Sequence, residues 1–217
     1  MKFTQNLLFY LSLMIKLTLI IAIVGAIITF QWLVLFVSSL TLILTFLPAF
    51  VERNYKITLP LEFEIVITGF IFASLFLGEI HSFYDRYWWW DTMLHTLSGV
   101  ILGFIGFLLI FTLNKNVKIG IHLTPFFIAF FSFCFAVTMG ALWEIFEWAM
   151  DLIFGLSMQK GLQDTMLDLI ADSIGALFSS IIGYLYIKNV KYPLIESAVL
   201  KFRKLNPHIF DEEKKNK

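Results

Sequence analysis

The sequence predicts an all-α polytopic membrane protein, a helical bundle of about six transmembrane helices with both termini in the cytoplasm. Three observations predict it. Of 217 residues, 59% are hydrophobic and only 15% charged, against roughly 25% charged in an average soluble domain. Several uncharged runs approach the roughly 20 residues that carry a helix across about 30 Å of hydrocarbon, and residues 125–143 are the cleanest of them. The runs do not alternate apolar with polar positions, which excludes a closed barrel.

Spans are expected at about 11–30, 32–50, 60–79, 93–113, 125–150 and 164–187, making 1–188 one transmembrane domain and 189–217 a basic cytoplasmic tail. The opening Met1-Lys2 and apolar run resemble a secretory signal, but Lys16 interrupts the run and no cleavage site follows, so the segment reads as a retained first span. Lys16 can snorkel to the interface along its own stem. A tight turn near Gln31 separates spans one and two. Residues 51–56, polar and just after Pro48, read as a loop; Pro60, Glu62 and Glu64 then open span three with acids in its first turn.

Residues 80–92 read as a loop leading to span four, along which Gly99, Gly103 and Gly106 allow close helix approach. Thr124-Pro125 has the form of an N-cap and first helical residue for span five. A loop over 152–163 leads to span six, whose Gly175, Ser179 and Gly183 recur every four residues and should pack tightly on a neighbour. The tail should be partly disordered beyond Pro207. Cys134 has no partner in the chain and reads as a small buried hydrophobe.

Orientation follows from the basic residues. Lys2, Lys16, Arg53, Lys56, Lys115, Lys118, Lys188 and seven of the tail fall on one side, fourteen in all; Arg86 and Lys160 alone fall on the other. The basic side is cytoplasmic, in a bacterial inner membrane, and its tail should attract anionic inner-leaflet lipid. No nucleic-acid partner is expected, although the zero formal net charge argues for this only where charges are mixed, and here they are not.

Nearly all the unusual polar residues then gather at the outer face. Asp91 and His95 are four apart; Glu144, Glu147 and Asp151 fall at i, i+3, i+7; Asp164, Asp168 and Asp172 at i, i+4, i+8. Each set lines one face of its helix. Asp91 and Asp164 could serve as helix-start residues, whereas carboxylates at the end of span five oppose the helix dipole and call for a cation. Candidate metal ligands are His81, Asp91, His95, Glu144, Asp151 and Asp172, with Glu147 and Asp168 as catalytic carboxylates. Tyr84, Trp89, Trp90, Trp143 and Trp148 would flank a substrate at headgroup level. Only His81 and His95 lie on this face, which excludes a three-histidine zinc site within one chain; the mixed set suits Zn, or Mg or Mn where carboxylates dominate. Neutralising Glu144 or Glu147 as glutamine should lower metal affinity while leaving the fold intact.

The motifs His81-x-x-Tyr84, Trp89-Trp90-Asp91-x-x-x-His95-x-x-Ser98-Gly99, Gly140-Ala141-x-Trp143-Glu144-x-x-Glu147-Trp148-x-x-Asp151 and Asp164-x-x-x-Asp168-x-x-x-Asp172-x-x-Gly175-Ala176 resemble the YjdF-type family of bacterial inner-membrane proteins. The resemblance covers about residues 60–188 and implies a polytopic inner-membrane protein without implying an activity. Asp91-x-x-x-His95 also resembles part of the pattern in membrane hydrolases of the alkaline ceramidase group, although their His-x-x-x-His is missing here.

Three functions fit these residues. The first is a metal-dependent hydrolase or transferase acting on a lipid or lipid-linked substrate at the outer leaflet. A cation- or proton-coupled transporter is the second, opposed by the near absence of acids from the inner half of the spans. The third is a structural membrane subunit whose polar network fixes helix packing.

Overall fold

A computed structural model describes residues 2–115, 121–190 and 192–210. Its secondary structure among the described residues is entirely helical, and six helical segments are long and apolar enough to cross a membrane, which makes the protein an all-α polytopic bundle. The chain forms two compact units, Met1–Trp90 and Asp91–Lys217.

The first unit begins with α1 (Lys2–Ile28) and α2 (Trp32–Leu44), and the chain reverses between them with Phe30 in the left-handed region at φ 55°. The turn falls where the sequence placed it. Lys16 bends its ammonium over the Phe46 ring, 4.9 Å from its centroid, so its charge rests on an aromatic face instead of bare hydrocarbon.

Residues 51–56, expected as a loop, instead belong mostly to α3 (Leu47–Tyr55). Pro48 sits in the first turn, where its missing N–H costs nothing, and so opens this helix instead of ending the previous one. Lys56 in the left-handed region closes it, and Glu52 accepts the Leu59 amide at 2.6 Å to hold the following loop.

The third span starts as α4 (Leu61–Ile71) and continues as a π-helix over Phe72–Ile80. The wider turn is a local feature for which the apolar sequence carries no signal. Beyond it, Ser82 at φ 56° turns the chain into the short α5 (Phe83–Arg86), so residues 80–92 are not one continuous loop. Gly78 is bare because the Tyr84 ring lies against it; a Cβ there would stand 2.8 Å from Tyr84 Cζ.

The second unit is built on α6 (Trp90–Lys115), α7 (Pro125–Phe154) and α8 (Leu162–Ile187). α6 and α8 touch backbone to backbone: a Cβ on Gly99 would stand 3.0 Å from Ala176 N, and one on Gly175 would stand 2.9 Å from Val100 N. The small-residue faces read from the sequence therefore meet each other. Thr124 caps α7 as expected, its hydroxyl accepting the Phe127 amide at 3.2 Å. Gly155, at φ 65°, ends it. Lys188 and the tail lead into α9 (Pro193–Leu205) and α10 (Pro207–Phe210). Residues 208–210, in the stretch beyond Pro207 expected to be partly disordered, are helical, and Phe210 buries its ring edge-on against Phe202. The remainder of the tail lies outside the described residues.

Candidate metal centre

Three helices of the second unit supply the site. Asp91 and His95 are one turn apart near the start of α6, Glu144 and Glu147 one turn apart in the last part of α7, and Asp168 and Asp172 one turn apart near the start of α8. Helical spacing keeps each pair on one face.

His95 is the centre of the arrangement and is only 9% exposed. Its Nδ1 lies 3.2 Å from Asp172 Oδ2 and, since a carboxylate accepts, donates to it, while Nε2 faces Asp91 Oδ1 at 3.7 Å and Glu144 Oε1 at 3.9 Å. A carboxylate behind an imidazole fixes the tautomer and raises the basicity of the other nitrogen, the usual support for a metal-bound histidine. Asp172, 1% exposed, is held in turn by the Ser98 hydroxyl, which donates to Oδ1 at 2.5 Å. Gly140 of α7 makes room for that carboxylate, since a Cβ there would come within 2.8 Å of Asp172 Cγ.

Asp91, His95 and Asp168 each offer one ligand atom, and the three atoms lie within 4.8 Å of one another. Metal–ligand bonds of about 2.0–2.2 Å put any two ligands at most about 4.4 Å apart. Small side-chain rotations therefore bring all three onto one ion.

Glu144 stands beside this group in an unusual state. It is 4% exposed, and neither carboxylate oxygen has a hydrogen-bond partner. The Thr165 hydroxyl of α8 is the donor near it, buried like Glu144 and with no other partner within hydrogen-bond distance. A buried carboxylate without hydrogen bonds, with the His95 ring 3.9 Å away as its charged neighbour, costs several kcal/mol unless a cation or proton answers it. Glu147 differs: it is half-buried and accepts the Trp143 indole N–H at 2.9 Å.

Asp151 is answered by the chain itself. After Gly155 the loop folds back and offers the amides of Met158 and Gln159, at 2.7 and 2.9 Å, to its two oxygens. The dipole argument that called for a cation at the end of α7 thus meets backbone N–H groups at this residue. Asp164 accepts the Lys160 amide at 3.2 Å, in keeping with a helix-start role.

Lys160 extends from the same loop to Asp91 Oδ2, 3.1 Å away, with 44% of its side chain exposed. Burial works to lower its pKa, but the hydrogen bond and charge of Asp91, aided by Asp164 and Asp168, outweigh it, and the ammonium is held above its ordinary range. It stays charged at neutral pH and competes with any cation for Asp91. Removing that competitor as Lys160→Gln is expected to tighten divalent-metal binding up to about fivefold, the value of a partly exposed pair; titration calorimetry of the detergent-solubilised protein would measure it.

Of the residues singled out from sequence, the structure groups Asp91, His95 and Asp168, sets Asp172 behind His95 and leaves Glu144 alongside. Trp143 and Trp148 are 45% and 54% exposed on the outside of α7. His81, Tyr84, Trp89 and Trp90 belong to the first unit, where the exposed His81 ring stands edge-on to Phe76 at 5.0 Å and the two tryptophans tilt against each other at 5.6 Å. Lys160 and Thr165 went unremarked as site residues in the sequence. Lys160 left one signal, as one of only two basic residues on the acidic face.

The chain has counterparts among known sequences. A protein of Thermotoga maritima described as "Uncharacterized protein" is 29% identical over 145 residues, spanning 64% of this chain and 70% of its own. No solved structure matches the chain. Residues 9–189 match the family described as "Predicted membrane protein (DUF2238)". With that match reaching all six apolar spans and covering most of the chain, the protein belongs to this membrane-protein family.

Proposed function

We propose that the second unit holds one divalent cation on Asp91, His95 and Asp168, and that the protein is a metal-dependent hydrolase or transferase for a lipid or lipid-linked substrate at the outer membrane face. The observation that carries the reading is Glu144, a buried carboxylate without a hydrogen-bond partner, 3.9 Å from the nitrogen of His95 that faces the ligand group. One imidazole with two carboxylates favours Mn²⁺ or Zn²⁺. Such an ion would acidify a bound water towards neutral pH and polarise an ester or phosphoester oxygen.

The chain's residues divide the remaining work. Asp172 orients His95, and Glu144, lying outside the mutual reach of the three ligands, takes the proton of the attacking water as general base. Roles expected from spacing are thereby exchanged, Asp168 becoming a ligand and Glu144 the base. Trp143 and Trp148 sit where interfacial tryptophans accompany headgroups.

Elemental analysis of protein purified without chelator tests the reading. The parent should retain about one Mn or Zn per chain after dialysis, and the combined Asp91→Asn and Asp168→Asn variant almost none, because ligation needs the deprotonated carboxylates. Equal metal content in the two would remove the site.

A further inference from the structure

We propose that the opposite end of the second unit binds the headgroup of a phospholipid carrying both a phosphate and a primary ammonium, in the cavity between the ends of α6 and α8 and the face of α9. The cavity holds about 280 Å³ and is lined by Lys115, Tyr186, Asn189, Glu196 and Arg203 over a floor of Phe111. It lies about 30 Å along α6 from His95, twenty residues at 1.5 Å each, and owes nothing to the metal site.

Its position identifies the source of the ligand. α6 and α8 are membrane spans that end at Lys115 and Ile187, so the cavity opens where hydrocarbon gives way to headgroups. α9 packs on the protein through Val199 and Phe202, 0% and 5% exposed, and leaves Lys201, Arg203 and Lys204 facing out. Basic residues beside the end of a span suit the headgroup layer.

Its charges identify the headgroup. Lys115 and Arg203 each rest against an aromatic ring, Phe111 at 6.0 Å and Phe210 at 5.4 Å, and neither they nor Glu196 form an ion pair within the described residues. Two cations beside one acid, none of them ion-paired among the described residues, suit a ligand of both signs. Arginine's fork matches phosphate oxygens bidentately, with Lys115 as a second positive charge. Glu196, seven residues before Arg203 and so on the same face of α9, accepts from a primary ammonium; a trimethylammonium has no N–H to give it. The cavity should therefore prefer phosphatidylethanolamine over phosphatidylglycerol and phosphatidylcholine.

Native mass spectrometry of the full-length protein, offered equal amounts of the three lipids, tests the ranking. Phosphatidylethanolamine should be retained most, Arg203→Gln should reduce that retention about tenfold, as expected for loss of a charged hydrogen bond, and Glu196→Gln should abolish the preference over phosphatidylglycerol without weakening phosphatidylglycerol itself. A parent that ranks phosphatidylglycerol first, or variants that lower all three lipids alike, would reduce the cavity to general basic attraction and overturn the proposal. Water-soluble glycerophosphoethanolamine should compete poorly; if it displaces the lipid at equal concentration, the site takes a soluble phosphoester instead. Should a variant fail to fold, the ranking in the parent still decides.

Discussion

His95→Gln is expected to abolish the metal response of the protein while leaving its metal-free fold standing. A cation bound only by the native state stabilises by about 2.7 kcal/mol at a hundredfold excess over its Kd, which for a chain of this size moves the unfolding midpoint by roughly 5–10 °C. Glutamine keeps much of the shape of imidazole but gives up both the Nε2 ligand and the Nδ1 donor to Asp172. Glu144→Gln should behave in the opposite way. The amide fills the same volume without a buried charge that lacks hydrogen bonds, so the metal-free protein should become more stable, by about 1–3 kcal/mol, and the metal response should persist because the three ligands remain. Thermal unfolding in detergent, with and without EDTA, separates the two. A normal metal response in His95→Gln would remove the imidazole from the site; a lost response in Glu144→Gln would make Glu144 a ligand and leave the base unassigned.

Gly99→Val and Gly175→Val carry the largest expected effect on folding. At both positions the new side chain would meet backbone on the partner helix: the Asp172 carbonyl and Ala176 amide in one case, the Thr96 carbonyl and Val100 amide in the other. Side-chain repacking, which limits most overpacking to about 1–3 kcal/mol, offers no relief against backbone. α6 and α8 must move apart, and His95 and Asp172 move with them. Both variants should lose most of their folded yield, and any folded fraction should lack the metal response. Gly25→Val supplies the control, since no atom lies within 4 Å of its added Cβ; size-exclusion profiles of the three variants make the comparison.

The spans were legible because burial in lipid demands unbroken apolar runs, and the turn at Gln31, the Thr124 cap and the glycine faces of α6 and α8 were legible for equally local reasons. α3 was not: polarity at residues 51–56 reads the same on an exposed helix as in a loop, and only Pro48 hinted at a new start. The π-helical stretch left no mark in composition. At the site, i, i+4 spacing put Asp91 with His95 and Asp168 with Asp172 correctly on shared faces. It could not rank the members of each pair, since coordination or support depends on which neighbour a side chain meets across helices. Asp151 shows the same limit, because the amides that answer it come from a loop whose path depends on Gly155.

The length of α7 couples this site to the membrane around it. Its 30 residues measure about 45 Å, well beyond the roughly 30 Å of a hydrocarbon core, and Thr124 and Pro125 fix where it begins. Residues 125–143 already fill that core, so Glu144, Glu147 and Asp151 stand just past it in a bilayer of ordinary thickness. Hydrophobic mismatch then acts directly on the carboxylates: a thicker bilayer draws Glu144 towards acyl chains unless α7 loses tilt, and a thinner one lifts it into water. Acyl-chain length in reconstituted vesicles should therefore tune metal affinity with no change in the protein at all.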